Sequence, residues 1–354
     1  MSTPSKNRRV TLQDIAQRTG YTVNTVSRAL KNKADISRAT CETIQRIADE
    51  MGYIRNQMAS SLRSGRTRTL GLVVGGMSNP YYGIMADQIQ NAAMEHGYSV
   101  LILCSRDQAE LEMQVTEAAL SRQVDGILLF PCYGSEKTIE RIRALGVPFV
   151  LMGRTLPAIP ADAVICDEEQ GAFLITRHLI EAGCRELAYL SNYDVVFSSH
   201  SRLHGYRRAC QEAGMTASAE RARVCNDDEA ILRQLFAWKQ EGVDGLFLFC
   251  DDEAWRVMNL LAKQGMSVPS TFAVAGFDNI QGVLPFPSPL CSVEYGLSRM
   301  AYTGVDLLLR RINNEELDTQ LIRLEPRVIC HGSCGIGLPK RCPAPVQMFH
   351  PSKT

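Results

Sequence analysis

The sequence predicts an α/β protein: a small helix-turn-helix head followed by a larger body of two similar α/β lobes. Three observations lead to this prediction: a compact pair of helical patterns around Gly20, an uneven distribution of charge, and apolar runs that alternate with amphipathic stretches after residue 70. A length of 354 residues, 45% of them hydrophobic, is enough for two or three structural units with ordinary cores.

The first 68 residues and the rest of the chain carry charges of opposite sign. The segment through Arg68 holds 13 Lys and Arg against five Asp and Glu, a net charge of +8. The remaining 25 basic and 33 acidic residues give −8, so the whole chain is neutral. A basic head on an acidic body is typical of nucleic-acid binding. A solvated basic arm would lack the apolar periodicity of this head.

Three short helices are predicted in the head. Thr11 caps the first helix, and Gly20 permits the turn that follows it. Thr22 caps the second helix, and Ser37 caps the third. The apolar residues expected to face inward are Leu12, Ile15, Ala16, Val23, Val26, Leu30, Ile44, Ile47, Ala48 and Met51.

The second helix is expected to enter the major groove of DNA. Its outer face offers Asn24, Thr25 and Arg28, whose donors and acceptors match base edges and phosphates. The alternative is a generic three-helix bundle with solvated polar residues, which the excess positive charge makes less favourable.

In the body, nine apolar runs predict the strands of parallel sheets: LGLVVGG, YSVLILC, DGILLF, VPFVLM, AVIC, ELAYLS, ARVC, DGLFLFC and FAVAGF. Amphipathic stretches such as 80–96 and 168–183 lie between them and predict crossover helices. There are too many strands for one compact half, and we expect the two lobes to divide near residues 160–162.

The strings TLQDIAQRTGYTVNTVSRALKNKADIS, GYIRNQMASSLRSGRTRTLGLVV and AGFDN occur in this order along the chain. This pattern resembles the lactose-repressor/galactose-repressor (LacI/GalR) family of bacterial transcription regulators, over essentially the whole chain to about residue 330. The resemblance implies two periplasmic-binding-protein-like lobes, with a ligand cleft between them and chain crossings that interleave them. It also implies a transcription regulator that binds a specific DNA sequence and acts as a repressor. A small-molecule effector, such as a sugar or sugar derivative, is expected to control it.

The resemblance also places DNA contacts on the head and on a hinge helix. Bases are expected to be read by Val23, Asn24 and Arg28, and the full set predicted on the head is Thr11, Thr22, Val23, Asn24, Thr25, Ser27 and Arg28. The hinge residues that match are Asn56, Ala59, Leu62 and Arg63. Leu62 is expected to wedge into the minor groove, where an apolar side chain can kink the duplex. Arg55 in place of the usual Pro, and Tyr21 in place of a smaller residue, depart from the family pattern.

Effector contacts are expected at the carboxyl ends of the body strands, where ligands of such sheets bind. The residues that match the family's ligand-contacting positions are Asn79, Tyr81, Tyr82, Phe130, Ser198, Arg202, Cys250, Asp278 and Tyr295. A cationic fork and a carboxylate from opposite elements, Arg202 and Asp278, can grip a polyhydroxylated ligand. The alternative for this pair is a structural salt bridge. Phe130, Gly153, Cys250 and Tyr295 make the pocket more apolar and aromatic than a simple hexose site.

The predicted domains are a DNA-binding head at 1–54, a hinge and linker at 55–69, an effector-binding and dimerising body at 70–334, and a tail at 335–354. The tail contains no leucine heptad, which favours a homodimer. A basic N-terminus without an apolar segment, and no run near the ~18 apolar residues of a membrane span, favour a cytoplasmic protein with no membrane partner. Cysteines scattered through apolar runs fit a reducing compartment.

No cofactor, metal site or catalytic residue is predicted. The CHGSC string at Cys330–Cys334 and the later Cys342 do not form the paired CxxC spacing of a typical zinc site. No GxGxxG, Walker loop, HExxH or GxSxG motif is present, so an enzyme is not expected. A sugar-binding protein without regulatory DNA binding would share the body but would have no use for the basic head. An architectural DNA-binding protein would share the head but not the ligand-sized body.

Overall fold

The computed structural model describes residues 10–53, 65–156, 159–192, 197–284, 289–314 and 318–335. Two compact units are found, Met1–Thr67 and Arg68–Thr354, and each is described by itself. No described helix is long and apolar enough to cross a membrane.

The head is a three-helix unit. Its helices are α1 (Leu12–Thr19), α2 (Val23–Ala29) and α3 (Arg38–Glu50). Thr11 and Asp14 form a reciprocal capping box at the start of α1, and Gly20 ends it in the left-handed conformation with φ 74°. The buried core consists of Ile15, Ala16, Val26, Ala29, Cys41, Ile44 and Ala48. The three predicted helices and their three caps are therefore confirmed.

The first sheet of the body has six parallel strands in the order β11-β5-β4-β3-β1-β2. Its strands are β1 (Thr69–Val74), β2 (Ser99–Cys104), β3 (Gly126–Leu129), β4 (Phe149–Met152), β5 (Ala163–Cys166) and β11 (Leu321–Leu324). The helices between β1 and β4 are α4 (Pro80–Glu95), α5 (Ala109–Ser121) and α6 (Glu136–Ala144). Crossover helices between parallel strands bury both faces of the sheet, which explains the continuous apolar runs.

The second sheet has four parallel strands in the order β7-β6-β8-β9. Its strands are β6 (Leu187–Ser191), β7 (Ala222–Val224), β8 (Gly245–Leu248) and β9 (Ala273–Ala275). The helices around it are α7 (Glu168–Glu181), α8 (Phe197–Glu212), α9 (Thr216–Glu220), α10 (Asp228–Gln240) and α11 (Asp251–Lys263). All nine strands expected from the apolar runs are present.

The chain passes between the two sheets more than once, and the predicted division near residues 160–162 is wrong. Strand β5 lies after that point but pairs with β4 of the first sheet, and β11 then pairs with β5. Helix α12 (Leu297–Ile312) packs on β3, β4 and β5, although it follows the second sheet in sequence. Two short antiparallel strands, β10 (Ser292–Glu294) and β12 (Arg327–Ile329), were not predicted, because three residues are too few to show a period.

Helices α7 and α8 approach each other unusually closely at Gly205. A Cβ atom at this position would lie 2.1 Å from the backbone oxygen of Glu169 and 2.9 Å from the Ala172 side chain. Only glycine allows this approach without moving one helix. The approach sets Arg202, one turn earlier on α8, beside Glu168 at the start of α7.

We predict that Gly205→Ala destabilises the body by about 1–3 kcal/mol, because the methyl group must push α7 and α8 apart. Urea unfolding measures this change. Gly83→Ala is the matched control, since Gly83 is also helical and a Cβ there meets nothing within 4 Å. The control should be neutral or stabilising by about 0.4–1 kcal/mol. Equal unfolding midpoints for the two variants would show that the helices are not tightly apposed.

Candidate functional site

One candidate site is the exposed surface at the start of α2. Val23 has 42% of its surface exposed and Tyr21 40%, and the side chains of Thr22, Asn24 and Arg28 are also exposed. The expectation that Val23 faces inward is wrong, because Val26 and Ala29 fill the core from α2 and leave the first turn at the surface. An exposed Val23 is compatible with the base-contacting role that the resemblance implies.

Hydrogen bonds fix the backbone of this surface. The Thr22 hydroxyl accepts a hydrogen bond from the backbone N–H of Thr25 at 3.1 Å and lies 2.9 Å from the Thr25 hydroxyl. At the start of α1, the Thr11 hydroxyl likewise accepts a hydrogen bond from the backbone N–H of Asp14 at 3.3 Å, and it donates one to the Asp14 carboxylate at 2.7 Å. Both threonines therefore orient their helices through their hydroxyls.

Arg28 forms an ion pair with Asp35 in the loop before α3. The hydrogen bond from Arg28 holds the pKa of the Asp35 carboxyl below its usual value. Both side chains are about half exposed, so the pair contributes little to stability. About half of the Arg28 side chain therefore stays accessible at the surface of the head.

The hinge residues Asn56, Ala59, Leu62 and Arg63 lie outside the described residues, as does Arg55. Ser198 is in helix α8, but its side chain is not among those described.

A second candidate site is a cleft in the body, lined by residues that follow the carboxyl ends of strands in both sheets. Its walls are formed by Asn79, Tyr81, Tyr82, Phe130, Gly153, Arg154, Glu168, Arg202, Phe249, Cys250, Asp278 and Tyr295. Eight of the nine residues predicted to contact an effector are in this set, and Ser198 is the exception. The strand-end rule explains why residues that are far apart in sequence meet here.

Three aromatic rings form one wall of the cleft. The ring of Tyr82 lies 5.2 Å from that of Tyr81 and 5.5 Å from that of Phe130, both edge to face. Asn79 caps α4 by accepting a hydrogen bond from the backbone N–H of Tyr81, and Pro80 begins the helix. Burial raises the pKa of Tyr82 to about 12, so its hydroxyl stays protonated. This wall presents ring surfaces and neutral hydroxyls.

A buried cation lies opposite this wall. The guanidinium of Arg202 donates hydrogen bonds to the Glu168 carboxylate, to the backbone oxygen of Phe249, and to Asp278 at 3.3 Å. It also stacks 3.7 Å from the ring centre of Phe277. Arg202 is 4% exposed, so these direct contacts surround a buried charge. The structural salt bridge considered as an alternative role for Arg202 and Asp278 is therefore present, and it is located in the cleft.

Two carboxylates share this one guanidinium. Burial alone would lower the pKa of Arg202, but Glu168 and Asp278 raise it well above its usual value. Burial raises the pKa of Asp278 to about 7 despite the opposing effect of Arg202. The Tyr295 hydroxyl donates a hydrogen bond to the same carboxylate at 3.1 Å. Asp278 can therefore exchange a proton near neutral pH.

The backbone around Asp278 is strained, and hydrogen bonds to the buried Asp251 carboxylate stabilise the segment that follows it. Asp278 and Asn279 have φ values of 101° and 47°, a conformation that is costly for side chains with a Cβ. The buried carboxylate of Asp251 accepts hydrogen bonds from the backbone N–H of Ile280 at 2.8 Å and from the Ser292 hydroxyl at 2.6 Å. Strain maintained by a dedicated network is a feature of ligand sites.

Arg154, Glu168 and Phe249 line the cleft but were not predicted. Each follows the end of a strand, namely β4, β5 and β8, so a stricter use of the strand-end rule could have found them. Arg154 pairs with Asp107 at 3.4 Å and lies within the cleft. The free space in the cleft is about 50 Å³, far below the roughly 300 Å³ of a typical ligand site. A larger space of about 370 Å³ shares Gly153, Arg154 and Glu168 with the cleft.

Comparison with known proteins identifies both parts of the chain. Residues 11–56 match the family described as bacterial regulatory proteins, lacI family, and residues 176–334 match the periplasmic binding protein-like domain. The HTH-type transcriptional repressor PurR of Vibrio atlanticus (strain LGP32) is 27% identical over 323 residues, which cover 90% of this chain and 97% of that protein.

Solved structures show the same fold over most of the chain. The lac repressor dimer bound to operator and the anti-inducer ONPF aligns with a TM-score of 0.78 and 21% identity, covering 92% of this chain and 99% of that one. The complex of the transcriptional regulator CelR with cellobiose aligns with a TM-score of 0.66 and 26% identity, covering 92% and 100%.

The helix-turn-helix head and the two-sheet body therefore occur together here as they do in these regulators. The prediction of a regulator and not an enzyme is confirmed by these relatives. The chain belongs to the lacI family of bacterial regulatory proteins and is a DNA-binding transcription regulator with a small-molecule-binding body.

Proposed function

We propose that this chain is a cytoplasmic, homodimeric repressor that binds an operator through α2 and the hinge, and releases or binds it in response to a small polyhydroxylated effector. The observation that carries the proposal is the exposed polar face of α2 in an N-terminal segment, residues 1–68, whose net charge is +8. A dimer is expected because one recognition helix reads too few base pairs for operator-scale specificity.

The head supports specific reading of DNA. Asn24 and Arg28 carry the bidentate groups that recognise adenine and guanine edges, and Val23 offers an apolar contact for a thymine methyl group. The surrounding cations supply the phosphate contacts that give affinity without sequence preference. The alternative, a sugar-binding protein without DNA binding, leaves this surface unexplained.

The cleft supports an effector with both apolar faces and hydroxyl groups. Tyr81, Tyr82 and Phe130 offer ring surfaces, while Arg202 and Asp278 offer a donor fork and an acceptor. Sugars have this combination of faces and hydroxyls. Solved relatives bound to cellobiose and to D-xylulofuranose support a sugar or sugar derivative. The hinge, residues 56–64, is the segment through which ligand binding in the body can affect DNA binding by the head.

We predict that Arg28→Ala and Asn24→Ala weaken binding to the specific site by about 1–3 kcal/mol and relax base choice, because both side chains contact base edges. The operator is first selected from a randomised duplex library with the full chain, and affinities are then measured by fluorescence anisotropy.

Arg38→Ala is the control for this experiment, since Arg38 is an exposed arginine of the head that pairs with Glu42 on α3. It should change binding to operator and to random DNA by the same small amount. If Arg28→Ala and Asn24→Ala also lose equal affinity for both DNAs, these residues contact phosphates only and the recognition surface is elsewhere.

We predict that at least one member of a panel of sugars, sugar acids, sugar phosphates and nucleobases raises the melting temperature of the full chain. Tyr295→Phe and Arg202→Lys should then weaken that compound about tenfold or more in calorimetric titration, because each removes a hydrogen-bonding group from the cleft.

Tyr302→Phe is the matched control, since its hydroxyl bonds only to exposed Glu95 among the described contacts. It should bind the same compound as the unmodified chain does. If all three variants bind equally well, the ligand does not occupy the cleft described above.

We predict a pH signature from Asp278. Its folded-state pKa of about 7 lies above the unfolded value of 3.8, so the folded state binds the proton more tightly. The free energy of unfolding should therefore fall, relative to Asp278→Asn, as pH rises from about 4 to about 7, and should stay level above that. Urea unfolding across this range measures the difference, and a constant difference would mean that Asp278 is ionised throughout.

A further inference from the structure

Four metal-ligating side chains from three separate segments meet inside the body, and none of them lines the cleft. His178 lies near the end of α7, Cys291 directly precedes β10, and Cys330 and Cys334 follow β12. The ligand atoms of all four residues lie within 4.8 Å of one another. The prediction of no metal site rests on spacing along the chain: Cys330, Cys334 and Cys342 form no CxxC pair, and the six histidines show no paired metal spacing. Such spacing cannot reveal that folding brings His178 and Cys291 beside Cys330 and Cys334.

The sulfur separations match a shared metal better than a disulfide. The Cys330 sulfur lies 3.6 Å from that of Cys291 and 3.5 Å from that of Cys334. A disulfide requires about 2.05 Å. Two thiolates on a tetrahedral zinc ion, each with a Zn–S bond of about 2.3 Å, are about 3.8 Å apart. The observed separations need only small adjustments to reach this value.

The cluster is buried and its backbone is held in place. Cys291 is fully buried and Cys334 almost so, and the Nε2 atom of His178 is shielded from solvent without a hydrogen-bond partner among the described residues. The Ser333 hydroxyl accepts a hydrogen bond from the backbone N–H of Cys291 at 2.7 Å and donates one to the Val274 backbone oxygen at 2.6 Å. The Cys330–Cys334 loop is therefore pinned beside Cys291 before any ion binds.

We propose that His178, Cys291, Cys330 and Cys334 bind one zinc ion. Three sulfurs and one imidazole nitrogen are a soft, four-coordinate ligand set of the kind found in structural zinc sites. With four protein ligands the site leaves no position for substrate, so its role is structural. The ion would join α7, β10 and the segment after β12, which are distant in sequence.

The metal content of the reduced, full-length protein tests the proposal. After removal of metal with a chelator, Zn²⁺ should rebind with a stoichiometry of one per chain, and the melting temperature should rise. Co²⁺ in place of Zn²⁺ should give the intense thiolate charge-transfer and d–d absorption of a tetrahedral sulfur site. Cys330→Ser should lower Zn²⁺ affinity by at least about tenfold, a loss that even changes next to metal ligands can produce.

Cys104→Ser is the matched control, since Cys104 is a half-buried cysteine outside the cluster, and it should leave zinc binding unchanged. The proposal is overturned if the reduced chain binds no Zn²⁺, or if both variants bind it as the unmodified chain does. It is also overturned if the protein as purified contains no metal and has a mass two hydrogens lower with Cys291 or Cys334 joined to Cys330, since the cluster would then be a disulfide pair. Should Cys330→Ser fail to fold, stoichiometry and the Co²⁺ spectrum of the unmodified chain decide the question.

Discussion

The buried guanidinium of Arg202 is the interaction on which the body of this protein depends. A charge removed from water is costly unless its neighbours compensate it. Here Glu168 at the start of α7, Asp278 after β9 and the backbone oxygen of Phe249 after β8 all bond to it. One side chain thus ties together the ends of several strands at the cleft where the ligand is proposed to bind. Gly205 makes this possible, because it lets α8 lie close enough to α7 for Arg202 to reach Glu168.

The same hydrogen-bond network would allow a bound ligand to change the structure of the cleft. Two carboxylates compete for one guanidinium, and the strained backbone of Asp278 is maintained by Asp251 from the opposite side. A hydroxylated ligand could take over some of these hydrogen bonds, so that its binding energy would be available to change the structure around the cleft.

Much of this architecture follows from local sequence patterns. The helices of the head and nine strands of the body were predicted because caps, glycine turns and apolar runs are local signals. The predicted division between lobes is wrong because β5 pairs with β4 and so belongs to the first sheet. The sequence of β5 alone does not indicate which sheet it joins. Eight of the nine effector contacts expected from the family resemblance line the cleft, while Arg154, Glu168 and Phe249 were missed. The cluster of His178 with three cysteines could not be predicted, because its members are up to 156 positions apart and meet only through tertiary packing.

The proposed function requires that ligand binding in the cleft of the body be coupled to DNA binding by the head. Thermodynamic linkage tests it most directly: the affinity of the effector is measured by calorimetry for the free protein and for the protein saturated with its selected operator. We expect the two affinities to differ by about 5- to 150-fold, and the effector to change operator affinity by the same factor. Equal effector affinities with and without operator would contradict it.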